Sequence, residues 1–280
     1  MKLRSLLFVP GDRPDRMAKA LGAGADALIL DLEDAVAPAA KAEARRAVAR
    51  FLDANGAAKL WVRVNPLDSP EFDRDLAAIL PSHPDAIVLP KAEGGTSVAE
   101  LARRLAERGN ATARIMAIAT ETPAAMFQLG TFGGLRRLAA LTWGAEDLPA
   151  AVGAATSRES DGRFTPPYEL ARSLCLFGAA AAGVAPVETV YPDFRDLDGL
   201  RRYAERGRRD GFAGMMAIHP AQVPVINAAF TPSEAEVEQA RRIVAAFAAS
   251  PQAGALSLDG RMIDRPHLVQ AQRILAAAGE

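Results

Sequence analysis

Short apolar runs recur along the chain, separated by longer stretches in which Ala, Arg and Glu interleave with apolar residues at helical spacing. Eight runs stand out, over residues 3–9, 25–32, 59–65, 85–91, 113–121, 138–144, 184–191 and 214–220. Their length and polar boundaries predict strands, while segments such as PAAKAEARRAVARFLDANG and SVAELARRLAERG predict amphipathic helices that end at glycine. Strands alternating with helices imply a parallel sheet with crossover connections, and eight such units argue for an α/β fold of the (β/α)8 TIM-barrel type. A doubly wound open sheet uses similar pieces. A helix around Ser233 to Ala249 closes the count; SPQAGALSLDG then departs from the pattern, and RMIDRPHLVQAQRILAAAGE carries an amphipathic helix of its own. The expected organisation is a barrel over residues 1–250 and a C-terminal extension or lid over 251–280.

Length agrees with this, since 280 residues suit a single barrel of about 250 residues with an appendix. Charge narrows the partners. Lys+Arg and Asp+Glu nearly cancel to a formal net charge of -1, so no global field gathers nucleic acid or an anionic membrane, and any anion is bound locally. The single cysteine, Cys175, lies in the apolar run SLCLFGAAAAG and reads as a buried thiol rather than a nucleophile. The first apolar run stops at Pro10-Gly11, too short for a signal sequence or a membrane span, which leads to the expectation of a soluble cytoplasmic protein.

In a barrel the chemistry collects where the strands end and their following loops meet. Asp31, Glu33 and Asp34 follow one run, and Arg63 and Asn65 end the next. Lys91, Glu121 and the pair Glu146-Asp147 stand at three others. Any one of these acids is explained as a cap or a partner of a helix dipole, but five converging ends are not. Residues two apart share a face of a strand, so Trp61, Arg63 and Asn65 point inward and Val62 and Val64 outward. An inward guanidinium needs an acid, with Glu33 a candidate, or an anionic ligand. By the same alternation Ile115, Ala117, Ala119 and Glu121 share a face, two small residues leading inward to a carboxylate. Glu121 and one acid after Trp143 then occupy adjacent strand ends, and two close carboxylates with no His or Cys beside them favour Mg²⁺. Asp147, the shorter arm and the one preceding a helix, is taken as the metal ligand and Glu146 as structural.

The segments RSLLFVPG, DALILDLEDAV, WVRVN, VLPKAE, ATETPAA, LTWGAEDL and AIHPAQ, in this order over essentially the whole chain, resemble the CitE-like branch of the HpcH/HpaI aldolase family. That branch includes citrate lyase β subunits, malyl-CoA and citramalyl-CoA lyases, and malyl-CoA thioesterases. The resemblance implies a Mg²⁺-dependent barrel, homo-oligomeric and trimer-based, that cleaves or forms a carbon–carbon bond in a 3-hydroxyacyl thioester of CoA or an acyl carrier protein. The other product is a 2-keto acid such as oxaloacetate, pyruvate or glyoxylate. Glu121 and Asp147 match the metal ligands, with Glu121 also facing substrate, and Arg63 matches the arginine that grips the keto acid. DGRMIDRPHLVQAQ is similar to a tail that folds over a neighbouring subunit, with Asp264 at the acid-base position; without the resemblance Asp264 reads as a helix cap.

Rival readings carry different residues. Lys91, inward if Ile87 and Leu89 share its face, suits a metal-independent Schiff-base aldolase. A non-catalytic assembly subunit is the third class, opposed by the joint presence of Arg63, Glu121, Asp147 and Asp264. His219 is read as a loop-ordering residue. Arg4, Arg13, Arg16 and Lys19 form a basic cluster to which no site is assigned.

Overall fold

The computed structural model describes residues 2–280, and its contacts divide them into two compact units, Leu3–Asn227 and a second comprising Lys2 with Ala228–Glu280. In the first unit eight parallel strands close a barrel in sequential order, β1 pairing with both β2 and β8. The strands are β1 (Ser5–Pro10), β2 (Ala27–Asp31), β3 (Leu60–Arg63), β4 (Ala86–Leu89), β5 (Arg114–Ile118), β6 (Leu138–Thr142), β7 (Ala185–Glu188) and β8 (Gly214–Ala217). Each lies inside one of the eight apolar runs, apart from Pro10, one residue beyond the first. Helices α1 (Pro14–Ala20), α2 (Lys41–Ala54), α3 (Phe72–Ile79), α4 (Gly95–Glu107), α5 (Asp147–Val152), α6 (Pro166–Ala182) and α7 (Leu197–Asp210) fall between them. In α2 the pattern is plain: Ala44, Val48 and Leu52 recur every fourth residue and are buried, while Glu43, Arg46 and Arg50 are exposed.

Leu6, Ile29, Trp61, Val88, Met116 and Met216 pack into one buried cluster contributed by strands around the barrel. This fixes which face of each strand is interior. Trp61 is interior, as alternation predicts, and Arg63 follows it on the same face. For β5 the phase is reversed: Met116 and Ile118 are in the cluster, so Ile115 and Ala117 are not the inward residues. The same correction applies to β4, where Ala86 and Val88 face inward instead of Ile87 and Leu89. A register irregularity between Ile115 and Met116 accompanies the pairing of β5 with β6.

The helix directly after β8 is α8 (Gln222–Ala229), which sequence pattern did not separate, and α9 (Glu234–Ala249) belongs to the second unit. The units thus divide at Asn227/Ala228, whereas the sequence pattern changes near residue 250. A capping box between Ser233 and Glu236 starts α9. The stretch read as irregular is an antiparallel hairpin of β9 (Ala255–Leu258) and β10 (Arg261–Asp264), in which Leu258 faces Arg261 across Asp259-Gly260. Both turn residues have positive φ, 52° and 74°, as a two-residue turn of the mirror-image type requires. Helix α10 (Arg265–Ala278) packs on α9, burying Ala271 and half-burying Leu268, Ile274 and Leu275. Part of the apolar face of this amphipathic helix is therefore covered within its own chain. Among the described residues no helix is long and apolar enough to cross a membrane.

Candidate active site

Parallel register brings the strand-end charges together. Asp31 is the register partner of Arg63, and both are the last residues of their strands. The Asp31 carboxylate accepts from Arg63 Nε at 2.8 Å and Nη2 at 2.6 Å, and from the backbone N–H groups of Glu33 at 2.9 Å and Ala35 at 3.1 Å. Glu33 Oε2 lies 2.8 Å from Arg63 Nη1, although it receives no well-aligned hydrogen bond. The guanidinium also stands 4.9 Å from the Phe8 ring centroid. Burial alone would lower the Arg63 pKa; the charge and hydrogen bonds of Asp31, with help from Glu33 and Asp34, reverse this and hold it raised. Glu33, the candidate acid, is in contact, but Asp31 is the principal partner, with two bonds that fix the plane of the fork. Of the five guanidinium hydrogens Asp31 takes two, one of them on Nη2, which orients the group without consuming it.

Lys91 and Glu121 reach the same region by a route that alternation does not describe. Strand β4 ends at Leu89, and Lys91 takes a left-handed backbone conformation, φ 50°. Its N–H donates to Glu121 Oε2 at 2.6 Å, and its ammonium contacts Glu33 Oε1 at 2.7 Å and Asp147 Oδ1 at 3.2 Å. Burial would lower the Lys91 pKa, but the bond and charge of Glu33, with Glu121 and Asp147, hold it raised. A Schiff-base lysine needs the opposite shift, so this environment disfavours that chemistry. Strand β5 ends at Ile118, three residues before Glu121, whose side chain is 4% exposed. Gly144 makes room for it: a Cβ there would lie 2.5 Å from Glu121 Cγ.

Asp147 is the first residue of α5 and half-buried, while Glu146 is exposed. The approach to Asp147 is anchored by Trp143, whose indole N–H donates to the buried Glu188 carboxylate at 2.5 Å and whose ring meets Phe164 edge-on at 5.0 Å. Glu188 also accepts from Arg172 Nε at 2.8 Å and from the Tyr203 hydroxyl at 3.0 Å. Gly144 N–H donates to Thr120 Oγ1 at 3.1 Å, tying the loops after β5 and β6 together.

Four carboxylates, Asp31, Glu33, Glu121 and Asp147, thus face two fixed cations, Arg63 and Lys91. Burial, opposed by the Lys91 N–H and reinforced by the negative charges of Glu33 and Asp147, pushes the Glu121 carboxyl up to about 8. Burial raises Glu33 as well, against the pull of Arg63 and Lys91. Such an excess of negative charge on hard oxygens is the donor set of a divalent cation that keeps waters and substrate oxygens for its remaining positions. Among the described residues no group of three or more His, Cys, Asp or Glu side chains is placed to hold a metal ion, so a cation here would draw on fewer protein ligands than that.

Other residues singled out in the sequence fall as follows. Asn65 is buried and structural, donating to Asp75 Oδ2 at 2.6 Å and to the Leu32 carbonyl at 3.0 Å. Cys175 is buried, and burial pushes its thiol well above the ordinary value. His219 stacks on Phe194 at 4.9 Å and accepts from the Ala221 N–H at 3.2 Å, a loop-ordering role. Arg4 pairs with Asp26 at 2.8 Å. Asp264 caps α10 in a capping box with His267, whose Nδ1 lies 2.5 Å from Asp264 Oδ1, and the hydrogen bond from His267 holds the Asp264 pKa below the ordinary carboxylate value. Sequence reasoning placed Asp31 at its strand end without pairing it to Arg63, and it missed Glu188 and the Lys91 backbone.

The HpcH/HpaI aldolase/citrate lyase family matches residues 4–220, and the family described as C–C bond lyase of the TIM-barrel fold matches residues 173–279. A citrate lyase subunit beta-like protein of Mycobacterium tuberculosis is 38% identical over 275 residues, 98% of this chain and 95% of the relative. A (3S)-malyl-CoA thioesterase of Cereibacter sphaeroides is 36% identical, with 98% of this chain and 94% of the relative covered. The crystal structure of CitE from M. tuberculosis in complex with magnesium, acetoacetate and coenzyme A superposes with a TM-score of 0.84 at 35% identity, covering 99% of this chain and 98% of that one. The chain belongs to the HpcH/HpaI aldolase/citrate lyase family, in its CitE-like branch.

Proposed function

We propose that the chain is a Mg²⁺-dependent carbon–carbon lyase that cleaves or forms a 3-hydroxyacyl thioester of the malyl-, citramalyl- or citryl-CoA type, yielding an acyl thioester and a 2-keto acid. The observation that carries this is one chain of contacts: Lys91 donates its N–H to the buried Glu121 carboxylate and sets its ammonium on Asp147 and Glu33, and Glu33 in turn meets an Arg63 guanidinium oriented by Asp31. Glu121 and Asp147 would hold the metal, which when bound supplies Lewis-acid polarisation of the keto-acid carbonyl. Arg63 grips the carboxylate of the same fragment, its plane set in advance by the two bonds it donates to Asp31, so little orientation is lost on binding. Breaking the bond to the thioester α-carbon leaves an enolate that takes up a proton, and the hydroxyl of the other fragment loses one. Asp264 is the proposed acid-base group for these transfers, delivered by the C-terminal extension to a neighbouring subunit of a homotrimer or a multiple of it. Magnesium and coenzyme A in one M. tuberculosis complex, and magnesium with oxaloacetate or with pyruvate in two others, support a metal, a CoA thioester and a 2-keto acid as ligands here.

Two variants of this reading stand beside it. The Cereibacter thioesterase relative favours net hydrolysis of malyl-CoA, and the citrate lyase beta-like relative favours a β subunit acting on an acyl-carrier-protein thioester. The metal assignment is tested by calorimetric titration of Mg²⁺ with oxaloacetate or pyruvate present. Asp147→Asn should weaken Mg²⁺ by at least about 100-fold, because a direct ligand counts for no less than the 10- to 100-fold of an outer-shell partner. Glu146→Gln, at an exposed side chain, should leave affinity within about twofold. Equal effects from the two substitutions would remove Asp147 from the metal site.

A further inference from the structure

We infer that Lys91 is the positioning residue that couples the metal and keto-acid halves of the site, an inference that rests on the function proposed above. Lys91 is a non-glycine residue in the left-handed region, φ 50°, a conformation that persists only where the surroundings impose it. Here it serves two directions at once. The backbone N–H is delivered to Glu121 Oε2 at 2.6 Å, while the side chain runs to Glu33 Oε1 at 2.7 Å and Asp147 Oδ1 at 3.2 Å. Glu33 continues the chain of contacts to Arg63 Nη1 at 2.8 Å. One residue therefore touches both proposed metal ligands and the acid that flanks the proposed keto-acid arginine.

The sign of its charge gives this placement a consequence that packing alone would not have. An ammonium beside Asp147 opposes an incoming divalent cation and attracts an incoming carboxylate. With Lys91 in place the cation is held loosely alone and firmly once the keto acid has added its own negative charge. Lys91 thus disfavours the metal bound by itself and favours keto acid joining the metal-loaded site.

Calorimetry on the full-length protein distinguishes the possibilities, with Mg²⁺ titrated alone and pyruvate then titrated at saturating Mg²⁺. Lys91→Met removes the charge and keeps most of the stem. It should bind Mg²⁺ alone roughly tenfold more tightly and pyruvate roughly tenfold more weakly, as expected for one charge removed a few ångströms away in a partly screened site. Lys91→Arg, which keeps the charge, should stay near the native values for both. Lys91→Gly accepts the backbone conformation without strain and keeps the N–H to Glu121, so it should reproduce the opposed shifts even if the methionine variant folds poorly. Shifts of both ligands in the same direction, or in neither, would overturn the coupling role while leaving the proposed function standing. Native protein that binds neither Mg²⁺ nor pyruvate would overturn both.

Discussion

Glu121 is the residue on which the electrostatics of the site turn. Its carboxyl, normally titrating near 4.5, is pushed up to about 8 by burial and the neighbouring acids. Below 4.5 folded and unfolded chains both carry the proton; from there to about 8 the unfolded chain ionises and the metal-free fold does not, so this group removes stability as pH rises through that window. A cation at the site demands the ionised form. Mg²⁺ uptake at pH 7 in the presence of keto acid is therefore predicted to release close to one proton, and affinity to rise with pH until about 8 and then level. Calorimetry in buffers of different ionisation heat measures the proton count directly, and uptake without proton release would mean that Glu121 is not a ligand. Arg63 was legible in the sequence because β3 remains regular up to that residue, so alternation from Trp61 carries through. Glu121 and Lys91 were placed at the mouth on a false premise. Each lies beyond its strand's last residue, Ile118 and Leu89, and reaches the site through loop geometry that no two-residue period encodes.

At the scale of elements, the eight strands were visible because barrel strands buried on both faces read as continuous apolar runs. That same continuity hides their phase, which is why the interior face of β4 and β5 was misassigned. Helix α8 escaped notice because its eight residues, QVPVINAA, carry no polar stripe, and the proline in its first turn looks like a breaker although it is tolerated there. The hairpin before α10 had a signal in Asp259-Gly260, the pair that suits a two-residue turn, but the apolar residues flanking it are few. Asp264 sits at the junction of hairpin and helix and carries two readings that one pair of substitutions separates. As a cap, Asp264→Ala should lower the melting temperature of the C-terminal unit, whereas Asp264→Asn, an equally good cap, should leave it nearly unchanged. If Asp264 is also the proton-transfer group, Asp264→Asn should still lose at least about 100-fold in kcat. Thermal unfolding and turnover of the two variants, measured together, decide it; a fully active asparagine variant would leave only the cap.

At the scale of the whole molecule, two compact units share one chain; Arg63, Glu121 and Asp147 belong to the first and Asp264 to the second. An assembly in which the tail serves a neighbour predicts complementation. Subunits carrying Asp147→Asn and Asp264→Asn, each nearly inactive alone, should regain part of the activity when unfolded and reassembled together, because some sites receive an intact barrel and an intact tail. Absence of recovery in demonstrably mixed oligomers would assign the tail to its own barrel or to no site. The barrel also leaves Phe127 at 87% and Phe177 at 65% exposure, large apolar side chains that a subunit contact would cover. The central claim concerns the bond that is broken, and one assay addresses it most directly. Purified protein is incubated with malyl-, methylmalyl-, citramalyl- and citryl-CoA in Mg²⁺, and keto acid and free thiol are followed separately. The account predicts keto acid appearing in step with acyl-CoA from at least one of these, without free thiol, and abolished by a chelator. Free thiol without keto acid, or keto-acid release that persists in chelator, would contradict it.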